Sequence, residues 1–291
     1  MIDVIKTTVS ARLKDAVAYL TQRGVDETEA NAEFLMAEVL GCGRSQVRAC
    51  GAQVLTDKQN SQYWELIKHR GRRVPLAYVI GHQPFAGCDI KVTPSVLIPR
   101  PETEQLVEAV VALAKESGAI HILDIGTGSG CLPVAIAKAL PQATLYATEI
   151  DTAAIRIAEE NASRNGVSRR IRFLREDLFK PAKRSAPWAD IVVTNPPYIP
   201  SAEVACLDKE VLREPKLALD GGRDGLDAIR AIVSDAPRML KPGGSMCMEF
   251  GDGQEDKVSR IFLHNGFSSV DILSDLQGRR RIAVARLPAV K

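Results

Sequence analysis

The sequence predicts an α/β protein: a mostly parallel sheet of seven strands with the last strand antiparallel, preceded by a small helical bundle and a linking β-hairpin. Three observations carry this. Helical periodicity fills residues 1–75, a turn-rich alternating stretch covers 76–100, and strand-like and helix-like segments alternate through 101–291.

In the first region Val9, Leu13, Val17 and Leu20 recur at spacings of three and four, one face of a helix. Asp26-x-x-Glu29 opens the next like a capping box, with Ala30, Phe34, Leu35 and Val39 as its apolar face and Gly41 and Gly43 at its end. Thr56-x-x-Gln59 opens a third through Tyr63, Trp64 and Ile67. "KHRGRR" (Lys68–Arg73) reads as a solvated helix end with cations at the negative dipole; a nucleic-acid contact is the alternative. Residues 76–100, "AYVIGHQPFAGCDIKVTPSVLIP" and its neighbours, carry turn residues at Gly81, Pro84 and Gly87 and read as a hairpin.

The alternating half then gives strands at Ile120–Asp124, Thr144–Glu149, Ile171–Leu174, Ile191–Thr194, Ser245–Glu249, Ser269–Leu273 and Arg281–Arg286. Helices are expected at Glu104–Ser117, Cys131–Leu140, Thr152–Asn165, Leu226–Leu240 and Gln254–Asn265. The link through "SDLQG" is too short for a parallel crossover, so the last two strands should pair antiparallel.

Composition narrows the function classes. The net charge is +2 with 25% charged residues, so no basic excess marks a dedicated duplex-DNA binder. Six cysteines stand apart with no C-x-x-C pair, which suits reduced and mostly buried thiols. The first residues lack an uninterrupted apolar core, and no apolar run approaches the ~20 residues that span a bilayer. A cytoplasmic protein is the expectation. His69, His82, His121 and His264 form no ligand pattern, so neither a metal nor a histidine base is expected.

Chemistry concentrates where strands end. "HILDIGTGSGCLPVAIA" is a strand, a glycine-rich turn and a helix start, with Gly126, Gly128 and Gly130 permitting tight turning and close approach to a ligand. Alone the loop is weak, since any tight turn uses glycine. Asp124 ends the first strand before it, and Glu149, nineteen residues beyond Gly130, ends the second. Glu149 can accept hydrogen bonds from both hydroxyls of a ribose. Asp177, after the third strand, can accept from an adenine amine. Asp151 suits a helix N-cap. A pyrophosphate would be repelled by Asp124, which disfavours a nicotinamide dinucleotide and favours a ligand with positive charge near the glycines.

The fourth strand runs into Asn195-Pro196-Pro197-Tyr198. A polar turn stopped by prolines is the plain alternative. In register behind the glycine loop, the four residues suit a planar nitrogen substrate better. The Asn195 carboxamide oxygen and the Pro196 carbonyl can accept its two N–H bonds, both prolines stiffen the turn, and Tyr198 can stack beneath it.

The D-x-G-x-G-x-G pattern, followed by acidic residues after the second and third strands, resembles the class I S-adenosylmethionine-dependent methyltransferases, whose sheet is Rossmann-like. NPPY resembles amino-methyltransferases that act on adenine N6 or on a glutamine side chain. "PLAYVIGHQPFAG", "LIPRPETE", "REPKLALDGGRDGL", "LKPGG" and "MEFG" are similar to release factor glutamine methyltransferases, and the layout of the whole chain fits that family.

That resemblance implies methyl transfer from S-adenosyl-L-methionine, leaving S-adenosyl-L-homocysteine, to the glutamine side-chain nitrogen (N5) of the Gly-Gly-Gln motif in bacterial peptide chain release factors. Residues 1–75 would bind the protein substrate. Asp124, Gly126, Thr127, Gly128, Ser129, Gly130, Glu149, Ile150, Asp177, Leu178 and Asn195 would hold the cofactor. Asn195, Pro196 and Tyr198 would be catalytic, with Pro197, Arg100 and Glu102 completing the substrate site. Arg100 and Glu102 could equally form a structural ion pair. Glu149 stands where aspartate is common and Leu178 where some members place an aromatic. A monomer without membrane or direct nucleic-acid substrate is expected. The competing functions are an adenine-N6 methyltransferase, a ribosomal-protein glutamine methyltransferase, a non-catalytic nucleoside-binding module and a nicotinamide-dependent oxidoreductase.

Overall fold

The structure is a computed structural model that describes residues 7–177, 187–275 and 277–289. It forms two compact units: residues 1–81 with Lys209–Arg213, and His82–Asp208 with Glu214–Lys291.

The first unit contains α1 (Val9–Thr21), α2 (Thr28–Leu40), α3 (Arg44–Val47), α4 (Asp57–Gly71) and α5 (Leu76–Ile80). Val9, Leu20, Leu35, Met36, Tyr63 and Ile67 are fully buried together, and the Tyr63 hydroxyl donates to the Ala32 carbonyl at 3.1 Å. The Thr56 capping box forms in both directions at the start of α4. The expected box at Asp26 does not form. Glu27 caps α2 in a left-handed conformation without a side-chain bond, and the Asn31 amide bonds the carbonyls of Asp26 and Glu27.

The apolar face of α2 also differs from the expected one. Phe34 is exposed beneath the Arg44 guanidinium, while Ala32, Leu35 and Met36 are buried, because α2 packs on more than one side. Buried Glu33 accepts from Arg44 and Arg48 and so closes the turn after the helix. Residues 76–80, expected as part of the hairpin, form α5 instead.

Lys68–Arg73 is only partly a solvated helix end. Arg70 is buried, with its guanidinium on Asn31, the Val74 carbonyl and Glu210. Arg73 holds Glu210 through two nitrogens, at 2.5 and 2.6 Å. Burial alone would raise the Glu210 carboxyl, but the hydrogen bonds from Arg73 and Arg70 outweigh it and hold it down at about 2.

The second unit opens with an antiparallel hairpin of β1 (His82–Phe85) and β2 (Cys88–Lys91). Next come α6 (Pro101–Ser117), β3 (His121–Ile125), α7 (Cys131–Ala139), β4 (Thr144–Glu149), α8 (Thr152–Arg164), β5 (Ile171–Arg175) and β6 (Ala189–Thr194). The remaining elements are α9 (Ser201–Val204), α10 (Asp227–Met239), β7 (Leu240–Glu249), α11 (Glu255–His264), β8 (Ser269–Ser274) and β9 (Arg280–Arg286). The sheet has seven strands in the order β5-β4-β3-β6-β7-β9-β8. All neighbours are parallel except β7/β9 and β8/β9.

β7 begins earlier than expected. Leu240 pairs with Ala189 and Ser245 with Ile191, so the residues between, "KPGG", are absorbed as an irregularity in the strand. Asn161 of α8 ties the hairpin to the glycine loop. It accepts from the Lys91 N–H and donates to the carbonyls of Lys91 and Ser129. Chain order reverses between β3 and β6, and at such a switch point an open sheet leaves a crevice at its carboxyl edge. Among the described residues no helix is long and apolar enough to cross a membrane. The six cysteines are free thiols; Cys88 and Cys247 are buried, whereas Cys206 is exposed.

Candidate active site

A cleft of about 1100 Å³, open mouth included, lies at that carboxyl edge. Its walls are the glycine loop, the ends of β4 and β6, residues 95–100 and the segment at Pro215–Ala218. Gly126, Thr127, Gly128, Ser129, Glu149, Ile150, Asp177, Asn195, Pro196, Pro197 and Arg100 all border it. Asp124 and Gly130 lie behind this wall, and Leu178 lies outside the described residues.

The loop takes its shape from glycine. Gly130 has φ +76°, and a Cβ there would come within 2.8 Å of the Ala158 Cβ, so α7 and α8 could not approach as they do. Glu149 closes the loop. Its Oε2 accepts from the Gly128 N–H at 2.9 Å, and its Oε1 accepts from the N–H groups of Ile150 and Asp151. Asp151 caps α8 by accepting from the Ala153 N–H.

Asp124 is fully buried, and neither carboxylate oxygen has a hydrogen-bond partner. Burial pushes its carboxyl up to about 7. The nearby Thr127 hydroxyl, outside hydrogen-bonding geometry, pulls the other way, and the Glu149 charge adds to the rise. Thr127 Oγ1 is also buried without a partner. An orphaned carboxylate and hydroxyl behind a glycine loop suit a ligand that brings a positive charge or donors, and the carboxylate repels a phosphate. The residues present therefore fit S-adenosylmethionine.

The segment "RPETE" distributes its side chains in several directions. Arg100 donates to Glu214 at 2.6 Å, and the other Glu214 oxygen accepts from the Ile98 N–H. Glu102 does not pair with Arg100; it accepts from Arg279 at 3.2 Å and does not border the cleft. Glu104 accepts from the Ala86 N–H and so pins the hairpin turn. Thr103 is buried and borders the cleft.

Thr103 leads into the "NPPY" turn. Its hydroxyl donates to Glu249 Oε2 at 2.7 Å and accepts from the Asn195 Nδ2 at 3.2 Å. Tyr198 donates its hydroxyl to Glu249 Oε1 at 3.2 Å. The Tyr198 ring, expected as a platform in the cleft, packs instead against the core beside β7 and does not border the cleft. The Glu249 tether and the core contacts hold it there.

The turn is held from below as well. Gln254 Nε2 donates to the Tyr198 carbonyl at 3.0 Å, Gly221 N–H donates to the Ile199 carbonyl, and Ile199 N–H donates to the Leu219 carbonyl. This explains the glycines of "LDGGRDGL": a Cβ on Gly225 would lie 2.2 Å from the Tyr198 carbonyl oxygen.

Thr103, Glu249 and Gln254 were not singled out from the sequence, whereas Glu214, read from sequence like Arg100 and Glu102 as a rim or ion-pair residue, pairs with Arg100. Glu249 did leave a signal, a lone carboxylate between Met248 and Phe250 at the end of an apolar strand. Among the described residues no three His, Cys, Asp or Glu side chains gather as a metal site.

Residues 12–81 match the family described as PrmC N-terminal domain, and residues 103–222 the family described as methyltransferase small domain. A release factor glutamine methyltransferase of Geobacter sulfurreducens is 40% identical over 92% of this chain and 93% of its own. One of Moorella thermoacetica is 38% identical over 96% and 98%. Among solved structures, a 16S rRNA methyltransferase of T. thermophilus in complex with AdoMet and guanosine superposes with TM-score 0.53 at 20% identity, over 71% of this chain and 49% of that one. A methyltransferase of Pyrococcus furiosus gives 0.50 at 19%, over 70% and 90%. Fold, cleft and matched domain make this an S-adenosylmethionine-dependent methyltransferase of class I architecture. The chain belongs to the release factor glutamine methyltransferase family.

Proposed function

We propose that this enzyme methylates the side-chain amide nitrogen (N5) of the glutamine in the Gly-Gly-Gln motif of bacterial peptide chain release factors. The carrying observation is that Asn195 borders the cleft with its Nδ2 already donated to Thr103. The carboxamide oxygen remains for a substrate N–H. Family membership supports the release factor as the substrate, with the helical unit as its docking domain.

The catalytic demand is positional. S-adenosylmethionine, when bound, supplies a methyl carried on a sulfonium leaving group. Asp124, buried and unpaired behind the loop, would meet its ammonium, Glu149 would hold its ribose, and Asp177 with Ile150 would border the adenine. Asn195 Oδ1 and the Pro196 carbonyl accept the two N–H bonds of the glutamine and turn its lone pair toward the methyl. The electron pair of the new N–C bond comes from nitrogen. Alkylation makes that nitrogen acidic, so its extra proton leaves to water and no base is required beforehand. Arg100 borders the cleft while paired with Glu214, which supports a contact with the peptide beside the glutamine.

Mass spectrometry of a purified release factor, after incubation with enzyme and S-adenosylmethionine, should find one added methyl on that glutamine and none when it is replaced. An unmodified wild-type factor would overturn the proposal. Methylation of an adenine-containing oligonucleotide instead would transfer the site to the nucleic-acid reading.

A further inference from the structure

The buried pair Thr103–Glu249 has no part in the reactant contacts proposed above, yet it meets the "NPPY" turn at both ends. We infer that Glu249 and Thr103 are positioning residues that fix the polarity of the Asn195 carboxamide, and thereby select a hydrogen-bond-donating substrate nitrogen. The inference rests on the proposed role of Asn195.

The argument is one of donors and acceptors. An ionised carboxylate can only accept. Glu249 is 2% exposed and receives the Tyr198 hydroxyl on one oxygen and the Thr103 hydroxyl on the other. Thr103 has a single hydrogen, and it points at Glu249. What remains on Thr103 Oγ1 is a lone pair, which can bind only the NH₂ end of Asn195, at 3.2 Å. The carboxamide oxygen is then the end left for the substrate.

Suppose Glu249 could donate. The Thr103 hydrogen would be free to turn to Asn195, and the carboxamide could flip. Its NH₂ would then oppose the substrate NH₂, donor against donor. Thr103 is itself 2% exposed, so the relay runs through protein rather than water. Burial raises the Glu249 carboxyl, while Thr103, Tyr198 and Arg281 of β9 pull it down. Glu102 of α6 adds to the rise, and Cys131, whose thiol burial holds up at about 12, faces it as a neutral group. Burial outweighs those contacts and leaves the Glu249 carboxyl above its usual range, so the acceptor-only form that orients Thr103 is lost first as pH falls.

The test compares Thr103→Val, Thr103→Ser and Glu249→Gln in the full-length enzyme with a release factor as substrate. Thr103→Val should lower kcat about 10–100-fold, the scale of a misplaced reactant, while S-adenosylmethionine affinity by calorimetry stays within about threefold. Thr103→Ser, which keeps the hydroxyl, should recover kcat to within about threefold of wild type. The kcat of wild type should also fall on the acid side with a limb above the ordinary carboxylate range, and Glu249→Gln should lower kcat and lose that limb.

A Thr103→Val enzyme with wild-type kcat would overturn the inference, as would failure of serine to rescue or persistence of the acid limb in Glu249→Gln. Cofactor binding and melting temperature identify any variant that has failed to fold, and the pH profile of Glu249→Gln then decides. A wild-type enzyme inactive on release factors would overturn the functional proposal instead.

Discussion

Asp124 sits with both carboxylate oxygens unpaired in full burial, and its carboxyl is pushed up to about 7. A bound ammonium would restore its ionised form. Cofactor binding near neutrality should therefore release a proton, and below pH 7 the affinity should fall by up to about tenfold per pH unit. Calorimetry in two buffers of different ionisation enthalpy reads this directly. Asp124→Asn should bind about 10–100-fold more weakly, with no proton release. The sign for the cofactor-free protein is opposite. Between about pH 4 and about pH 7 the folded carboxyl is protonated and the unfolded one is not, so stability declines as pH rises across that window. Asp124 and Asn195 were legible because each sits next to a local mark, a glycine loop or two prolines. Thr103 and Glu249 were not, since the bond between them spans 146 positions of sequence and no local pattern announces it.

At the scale of elements, the five expected helices of the alternating half are observed, α9 was not expected, and Thr144–Glu149 is observed with the expected ends. The helical unit was less legible. α2 buries residues around much of its circumference, so the four-residue spacings of Ala30, Phe34, Leu35 and Val39 did not identify the inner face. Arg70 and Arg73 of "KHRGRR" read as surface charge until the fold supplies Glu210, more than 130 residues onward. Breaking that cluster has a defined cost. Glu210→Ala leaves the buried Arg70 guanidinium short of its carboxylate and should destabilise the protein by about 3 kcal/mol, read as a shift in urea midpoint. With the Glu210 carboxyl depressed to about 2, its contribution is present above the unfolded value near 4.3 and is lost as pH falls toward about 2. Glu210→Ala should therefore show a flatter stability profile than wild type across that acid range.

For the molecule as a whole, the alternation of strands and helices predicted the sheet, and the short final connection predicted its antiparallel end. What no pattern revealed is the membership of the compact units. The chain leaves the first unit after Gly81, re-enters it at Lys209 and leaves again after Arg213. Five residues without repeat, cap or periodicity carry no mark of this in the sequence. Deleting residues 1–81 removes every described partner of Glu210 outside its own segment. The remaining chain should melt at a lower temperature than the full protein, and hydrogen exchange should be fastest around 205–214. Equal melting temperatures and full protection of that segment would show the deletion to be neutral.

The re-entrant segment also bears on how this chain could be recombined with another. A helical unit transplanted from a relative would meet Glu210 of the host with its own arginines, or lack them. The helical unit therefore cannot be exchanged intact by recombining at a single boundary near Gly81. The five residues 209–213 belong with the helices, so the unit to be moved is discontinuous in this sequence.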